Sequence, residues 1–248
     1  MNSDDLTPVA QSEPPARFIG VDDADLIVRT YLALEERQLD VLRIVPYEPS
    51  NWDVKLLPLG GIILEACSLV DSVLRASMQT DKDRNDLSMR DYPSHYESAC
   101  QLSGLHSFIF QMPYEMIAPF SGWTKQPSQE GQLPWWTAYN GIKHDMVRSA
   151  SLCTIRNSIL SLCALQQAIA VQPDFLEALS RHDMLSAYNI STFIEFVRSK
   201  TVYNQTATVE SALFATAIGY SRFPSQWTEL YHPDFYGGSK RLAKFLCL

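Results

Sequence analysis

The sequence lacks most of the features that mark secreted, metal-binding or nucleic-acid-binding proteins. Its five cysteines show no Cys-x-x-Cys spacing, which argues against a zinc cage and against a disulfide framework. Lys and Arg number 20 against 28 Asp and Glu, so the net charge is −8 and no extended DNA-binding surface is expected. The P-loop, GxGxxG, HExxH and GxSxG motifs are also missing.

The beginning of the chain has neither a basic nor an apolar stretch. Residues 1–21 are acidic and contain three prolines, so we expect a disordered tail rather than a signal peptide. The longest apolar runs stop short of the roughly 20 residues that span a bilayer. We therefore expect a cytoplasmic protein that does not bind membranes.

What the sequence does contain is helical periodicity. Apolar residues recur at helical spacing through 22–172, which predicts an all-α fold, an up-and-down bundle of about five main helices. Residues 173–248 are expected to form a C-terminal helical extension packed on this core, with short helices at 174–182, 186–198 and 206–220. Prolines and glycines interrupt the periodicity near 107–123, where a minor β element is expected.

The segment 134–148, PWWTAYNGIKHDMVR, concentrates aromatic and polar side chains, and Pro134 suits the first position of a helix. Its apolar residues recur at the spacing of a buried stripe: Trp135, Tyr139, Ile142 and Met146. An adjoining stripe is polar and has Lys143 on its flank: Asn140, His144 and Arg148. Gly141 leaves room for another backbone or a ligand to approach this polar cluster.

Two interpretations of the polar cluster follow from its residue types. In a structural role, Asn140 and His144 satisfy backbone groups of a neighbouring loop while Lys143 extends into water. In a catalytic role, His144 acts as acid or base, Asn140 orients the substrate, and Lys143 and Arg148 hold a phosphate. The pattern is not specific to either role.

Two carboxylates on the predicted helix 58–78, Glu65 and Asp71, require a partner if they are buried. We expect each to be exposed or paired with a basic residue of a neighbour, and the alternative is that one meets Lys143 and His144. A metal hydrolase that uses His144, Asp145 and Glu65 is disfavoured, because adjacent side chains diverge by about 100° on a helix. No metal ion or cofactor is expected.

The order of segments resembles a known group of helical proteins. A helix with IILEACSLVDSVL precedes an irregular aromatic segment, which is followed by WWTAYNGIKHDMV and SLCTIRNSILSLCALQQAI. Over residues 23–172 this resembles uncharacterised bacterial proteins with a W-x-x-Y-N-x-x-K-H motif, which are similar to the HEPN superfamily.

This resemblance implies a helical bundle that is often a homodimer. Many HEPN members are metal-independent ribonucleases in toxin, antiphage or RNA-processing roles, whereas others only bind. Their active motif is Arg, a polar residue, and His after four to six residues, and no Arg precedes His144 at that spacing. The one formal match, Arg90 to His95, contains Pro93.

Two function hypotheses follow from the residues and the resemblance together. The first is a HEPN-like protein of a bacterial defence or stress system that acts through binding and self-association. The alternative is a metal-independent ribonuclease that takes RNA into a local site formed by Asn140, Lys143, His144 and Arg148.

Overall fold

The computed structural model describes residues 19–78, 86–123, 133–199 and 205–220. These residues form seven α-helices: α1 Val21–Ile44, α2 Leu57–Ala76, α3 Pro93–Cys100, α4 Pro134–His144, α5 Ile155–Ala170, α6 Leu176–Arg181 and α7 Ile190–Ser199. They also form five strands: β1 Ser107–Ile109, β2 Met116–Ile117, β3 Leu185–Ser186, β4 Gln205–Glu210 and β5 Phe214–Tyr220. The described part of the chain is therefore mainly helical.

The all-α prediction is wrong, because the five strands form one antiparallel sheet in the order β2-β1-β5-β4-β3. The helix expected at 206–220 is instead the hairpin of β4 and β5, with Thr208 opposite Ala217. Its sequence, TATVESALFATAIGY, is rich in β-branched residues, which fit a pleated and half-buried surface. The small β element expected near 107–123 is present as β1 and β2, and β1 pairs with β5.

The centre of the bundle is α2, which packs against α1, α4 and α5. Nine of its 20 residues are buried, and its Cys67 thiol lies 3.5 Å from the Ser161 hydroxyl of α5. By length and composition α2 could also cross a membrane, as could α5 and 173–181 if that bent pair formed one span. Core helices pass the same test, and α2 is packed as a core helix here.

The sheet lies against α5, and a chain of buried polar side chains joins them. Thr216 of β5 donates to the Gln166 side chain at 2.6 Å, and its hydroxyl is 2.6 Å from that of Ser107 in β1. The Gln167 amide donates to the Ser107 hydroxyl at 2.9 Å. Because buried polar groups need partners, these bonds help to fix where the sheet sits on the helix.

A buried carboxylate, Glu35 of α1, holds the turn between β4 and β5. It accepts hydrogen bonds from the backbone N–H groups of Ala212 and Leu213, both at 3.0 Å, and from the Ser211 hydroxyl. The Tyr31 hydroxyl donates to the same carboxylate at 2.8 Å, and burial followed by the Glu35 charge raises the pKa of Tyr31. One side chain of α1 thus anchors the hairpin.

The two ends of the bundle are defined by contacts between helix termini. At one end Tyr96 donates to the Leu74 carbonyl at 2.8 Å, Gln172 donates to Tyr96, and the Ile19 N–H donates to Asp174. At the opposite end, the Leu56 N–H donates to the Cys153 carbonyl at 2.9 Å. We call this opposite end, where α1 finishes and α2 and α5 begin, the Ile44 end.

Candidate functional site

The helix that carries the predicted site, α4, is shorter than expected. It ends at His144, and Asp145 has extended backbone angles of φ −155° and ψ 90°. The Asp145 carboxylate accepts a hydrogen bond from the Arg148 N–H at 3.0 Å, which supports a turn instead of a further helical turn. Arg148 therefore does not continue the stripe of Asn140 and His144.

The apolar face of α4 is where the sequence predicts it. Trp135, Tyr139 and Ile142 are buried. The Trp135 indole donates to the Pro119 carbonyl at 2.8 Å and meets the Phe120 ring edge to face, with 5.5 Å between the ring centroids. Pro119 and Phe120, in the described part of the irregular segment, thus cover this helix.

Gly141 permits a close approach by the chain itself. A Cβ atom at this position would lie 2.9 Å from Leu152 Cδ1 and 3.1 Å from Ser149 Oγ. The missing side chain therefore lets segment 149–152 fold back against α4.

All four predicted site residues are exposed to solvent: Asn140, Lys143, His144 and Arg148. Lys143 Nζ lies 5.3 Å from the centre of the Tyr139 ring, and Arg148 Nε lies 3.4 Å from the Asp145 carboxylate. The structure brings Lys143 and His144 together in the last turn of α4. Asn140 and His144 are not buried against a loop as the structural interpretation expects.

The position of Lys143 and His144 has an electrostatic consequence. Lys143 and His144 occupy the last turn of a helix, where the macrodipole favours positive charge and disfavours a bound anion. Within the described ranges, no hydrogen bond holds the His144 ring in one orientation. The arrangement stabilises the helix end and presents polar groups to solvent.

The two carboxylates of α2 have partners other than the polar cluster. Glu65 pairs with Arg37 of α1 at 2.7 Å. Asp71 pairs with Arg75 and accepts a hydrogen bond from Tyr92 at 2.7 Å, and the pKa of Tyr92 is raised by burial and by this bond. Each carboxylate thus pairs with a nearby base, and neither is paired with Lys143 or His144.

The residues that the structure describes group neither a set of metal ligands nor the two ends of the formal HEPN motif, Arg90 and His95, on one helix. Among the residues that the structure describes, no three His, Cys, Asp or Glu side chains are grouped so as to hold a metal ion. α3 begins at Pro93, so Arg90 precedes this helix while His95 lies in its first turn. The two residues of the formal motif therefore do not share one helix.

The cysteines pack as small apolar side chains. Four of them, Cys67, Cys100, Cys153 and Cys163, are free, and Cys247 lies outside the described residues. Burial raises the pKa of the Cys67 and Cys163 thiols to about 12, so both stay protonated at neutral pH. Neither supplies the thiolate that nucleophilic catalysis requires.

Sequence reasoning missed three exposed apolar side chains at the Ile44 end of the bundle. Ile44, Leu57 and Val147 are 83%, 57% and 86% exposed. Ile44 ends α1, Leu57 begins α2 and Val147 follows the end of α4 by three residues, so each one looks like part of an ordinary apolar pattern in the sequence. Only the arrangement of the helix ends reveals that they share one end of the bundle.

Comparison with known proteins gives no relative. No protein-family model matches the chain, and neither a curated protein nor a solved structure gives a significant match.

Proposed function

We propose that this chain is a helical binding protein of a bacterial defence or stress system that acts through self-association and not through catalysis. The biological setting rests on the HEPN resemblance alone. The observation that supports binding is the exposure of the whole polar cluster, Asn140, Lys143, His144 and Arg148, at and just after the end of one helix. General acid–base catalysis instead requires a group held in place by its surroundings.

The surroundings of the cluster also favour binding. Val147 lies between His144 and Arg148 in the chain and is 86% exposed, and a large exposed apolar side chain beside polar ones is typical of an interaction surface. Lys143 is held over the Tyr139 ring, which restrains a long side chain before any partner arrives. A restrained side chain loses less conformational freedom on binding.

The alternative, a metal-independent ribonuclease, has one observation in its favour. Because Lys143 and His144 are both exposed, an RNA strand has access to a cation and to an imidazole on neighbouring residues. The departure of Arg148 from the stripe removes one of the two cations that the ribonuclease hypothesis places on the phosphate.

A paired experiment separates the two functions. The full chain is examined by sedimentation velocity and by incubation with total RNA in EDTA, together with the variants Lys143→Ala and His144→Ala. We expect a particle larger than a monomer and intact RNA. Cleavage that resists EDTA and disappears in His144→Ala, at an unchanged unfolding temperature, would establish the ribonuclease instead.

A further inference from the structure

We propose that the Ile44 end of the bundle is the surface through which two copies of this chain associate, with Ile44, Leu57 and Val147 at its centre. This inference rests on the proposed function and specifies its partner and its surface. The three residues, together with four exposed charged residues of the loop 45–56 and of the last turn of α4, Glu48, Asp53, Lys55 and Lys143, are called the bundle-end surface below.

The packing of the helices places these residues at one end. The start of α1 and the end of α2 both lie near the end of α5, so α1 and α2 are antiparallel. Ile44 at the end of α1 and Leu57 at the start of α2 therefore lie at the same end of the bundle, joined by the loop 45–56. α4 reaches the same end: a Cβ atom on Gly60 would lie 3.5 Å from Met146 Cε, and Val147 follows Met146.

The exposure of the apolar centre indicates that it is made for contact with another surface. Ile44 and Val147 are 83% and 86% exposed, and Leu57 is 57% exposed. Each exposed aliphatic side chain that becomes buried contributes favourably to association, in proportion to the apolar area removed from water. Three such side chains at one end form the kind of apolar centre found in protein interfaces.

The charges of the rim point to a second copy as the partner. Some exposed charges of α1 are paired on the same molecule, as in Arg37 with Glu65 and Arg43 with Glu36. Glu48, Asp53, Lys55 and Lys143 are exposed as well, and none of the four has an ion pair with a described residue.

A two-fold interface brings one surface against itself, so it needs both signs of charge on the same surface. The bundle-end surface meets this requirement with two carboxylates and two ammonium groups around its apolar centre. A strongly acidic partner would place negative charge opposite the two carboxylates, and a strongly basic partner would place positive charge opposite the two ammonium groups.

The test compares charged substitutions at this end with a matched one at the other. Leu57→Glu and Val147→Glu place a carboxylate in the proposed interface, whereas Leu26→Glu does so near the start of α1, where Leu26 is 56% exposed. Dissociation constants come from sedimentation equilibrium of the full chain. We expect both bundle-end variants to weaken association by roughly 30-fold or more, and Leu26→Glu to leave it unchanged.

A second measurement uses the wild-type chain. Equal amounts of unlabelled and ¹⁵N-labelled protein are mixed, equilibrated and treated with a lysine cross-linker. We expect mixed-isotope cross-links among Lys55 and Lys143. A monomeric wild type would overturn both self-association and this surface. Association that is equally strong in all three variants, with cross-links elsewhere, would overturn the surface alone.

Discussion

Glu35 and Glu36 are neighbours in α1 with opposite surroundings. Glu35 is buried and accepts hydrogen bonds from the β4–β5 turn, whereas Glu36 is exposed and pairs with Arg43 at 3.0 Å. Burial and hydrogen bonding decide how much a carboxylate contributes to stability, and residue type alone does not.

Replacement of these two residues should therefore have unequal effects. Glu35→Ala removes the common acceptor of two backbone N–H groups and two hydroxyls, and should cost about 3 kcal/mol or more of unfolding free energy. The control, Glu36→Ala, breaks an exposed ion pair and should cost less than about 1 kcal/mol. Urea unfolding measures both, and equal losses would contradict this account of Glu35.

Trp135 fills the space between α4 and the segment before it. Its indole is fully buried and donates to the Pro119 carbonyl at 2.8 Å. Trp135→Ala should cost about 3–5 kcal/mol through a large cavity and an unsatisfied carbonyl. The half-buried neighbour Trp136→Ala should cost less in the same unfolding experiment, and the reverse order would show that the orientation of α4 is wrong.

His144 is exposed, and its removal should hardly affect stability. His144→Ala takes away a side chain that no described hydrogen bond holds, so the unfolding free energy should change by about 0.5 kcal/mol or less. Thermal unfolding at neutral pH measures this difference. A loss above about 1 kcal/mol would indicate a buried partner for the imidazole.

At the scale of elements, two glycines let the segment that follows α4 pack closely. Gly141 of α4 admits Leu152, and Gly60 of α2 admits Cys153, whose sulfur would lie 2.9 Å from a Cβ atom at position 60. Because Gly60 and Gly141 have no side chains, the segment just before α5 can pack closely against both α2 and α4.

The contact between Gly60 and Cys153 can be tested by a double-mutant cycle. Gly60→Ala should cost about 1–3 kcal/mol, because its methyl group overlaps the buried Cys153 sulfur. In the background of Cys153→Ala the sulfur is absent, so the same substitution should cost clearly less. Chemical unfolding of the four proteins gives the coupling energy, and strict additivity would refute the proposed overlap.

At the scale of the whole molecule, Asp25 ties the start of α1 to the end of α6. His182 Nε2 lies 3.1 Å from its carboxylate, and Arg181 and Arg29 lie 3.3 and 3.0 Å away. Burial by itself would raise the pKa of Asp25, but the hydrogen bond from His182 and the charges of Arg181 and Arg29 together lower it by more. The pKa is therefore lowered from its ordinary value of 3.8.

The sign of this shift predicts a dependence of stability on pH. A carboxylate whose pKa is lower in the folded state stabilises the fold above 3.8, and this contribution disappears as the pH falls through the folded pKa. Asp25→Asn should thus lower the unfolding temperature at pH 7, and the deficit should shrink at pH values below 3.8. Asp22→Asn, an exposed neighbour, serves as control, and a deficit independent of pH would contradict the shift.

The sequence by itself determined the long helices and the apolar face of α4. Helical periodicity of apolar residues is local information, and it placed α1, α2 and α5 and the buried Trp135, Tyr139 and Ile142. The early end of α4 was also encoded locally, in the Asp145 side chain that binds the backbone of Arg148. The prediction of a helix that continues to Arg148 did not take this competing hydrogen bond into account.

Only the tertiary structure decided the sheet and the surroundings of the polar cluster. β1 pairs with β5, so that Ser107 lies opposite Thr216, more than a hundred residues along the chain. No local pattern contains such a pairing, and a short segment takes its strand conformation from its neighbours. Likewise, α4 has one polar stripe in any fold, and the packing of α2, α5 and segment 149–152 determines that Lys143 and His144 face solvent.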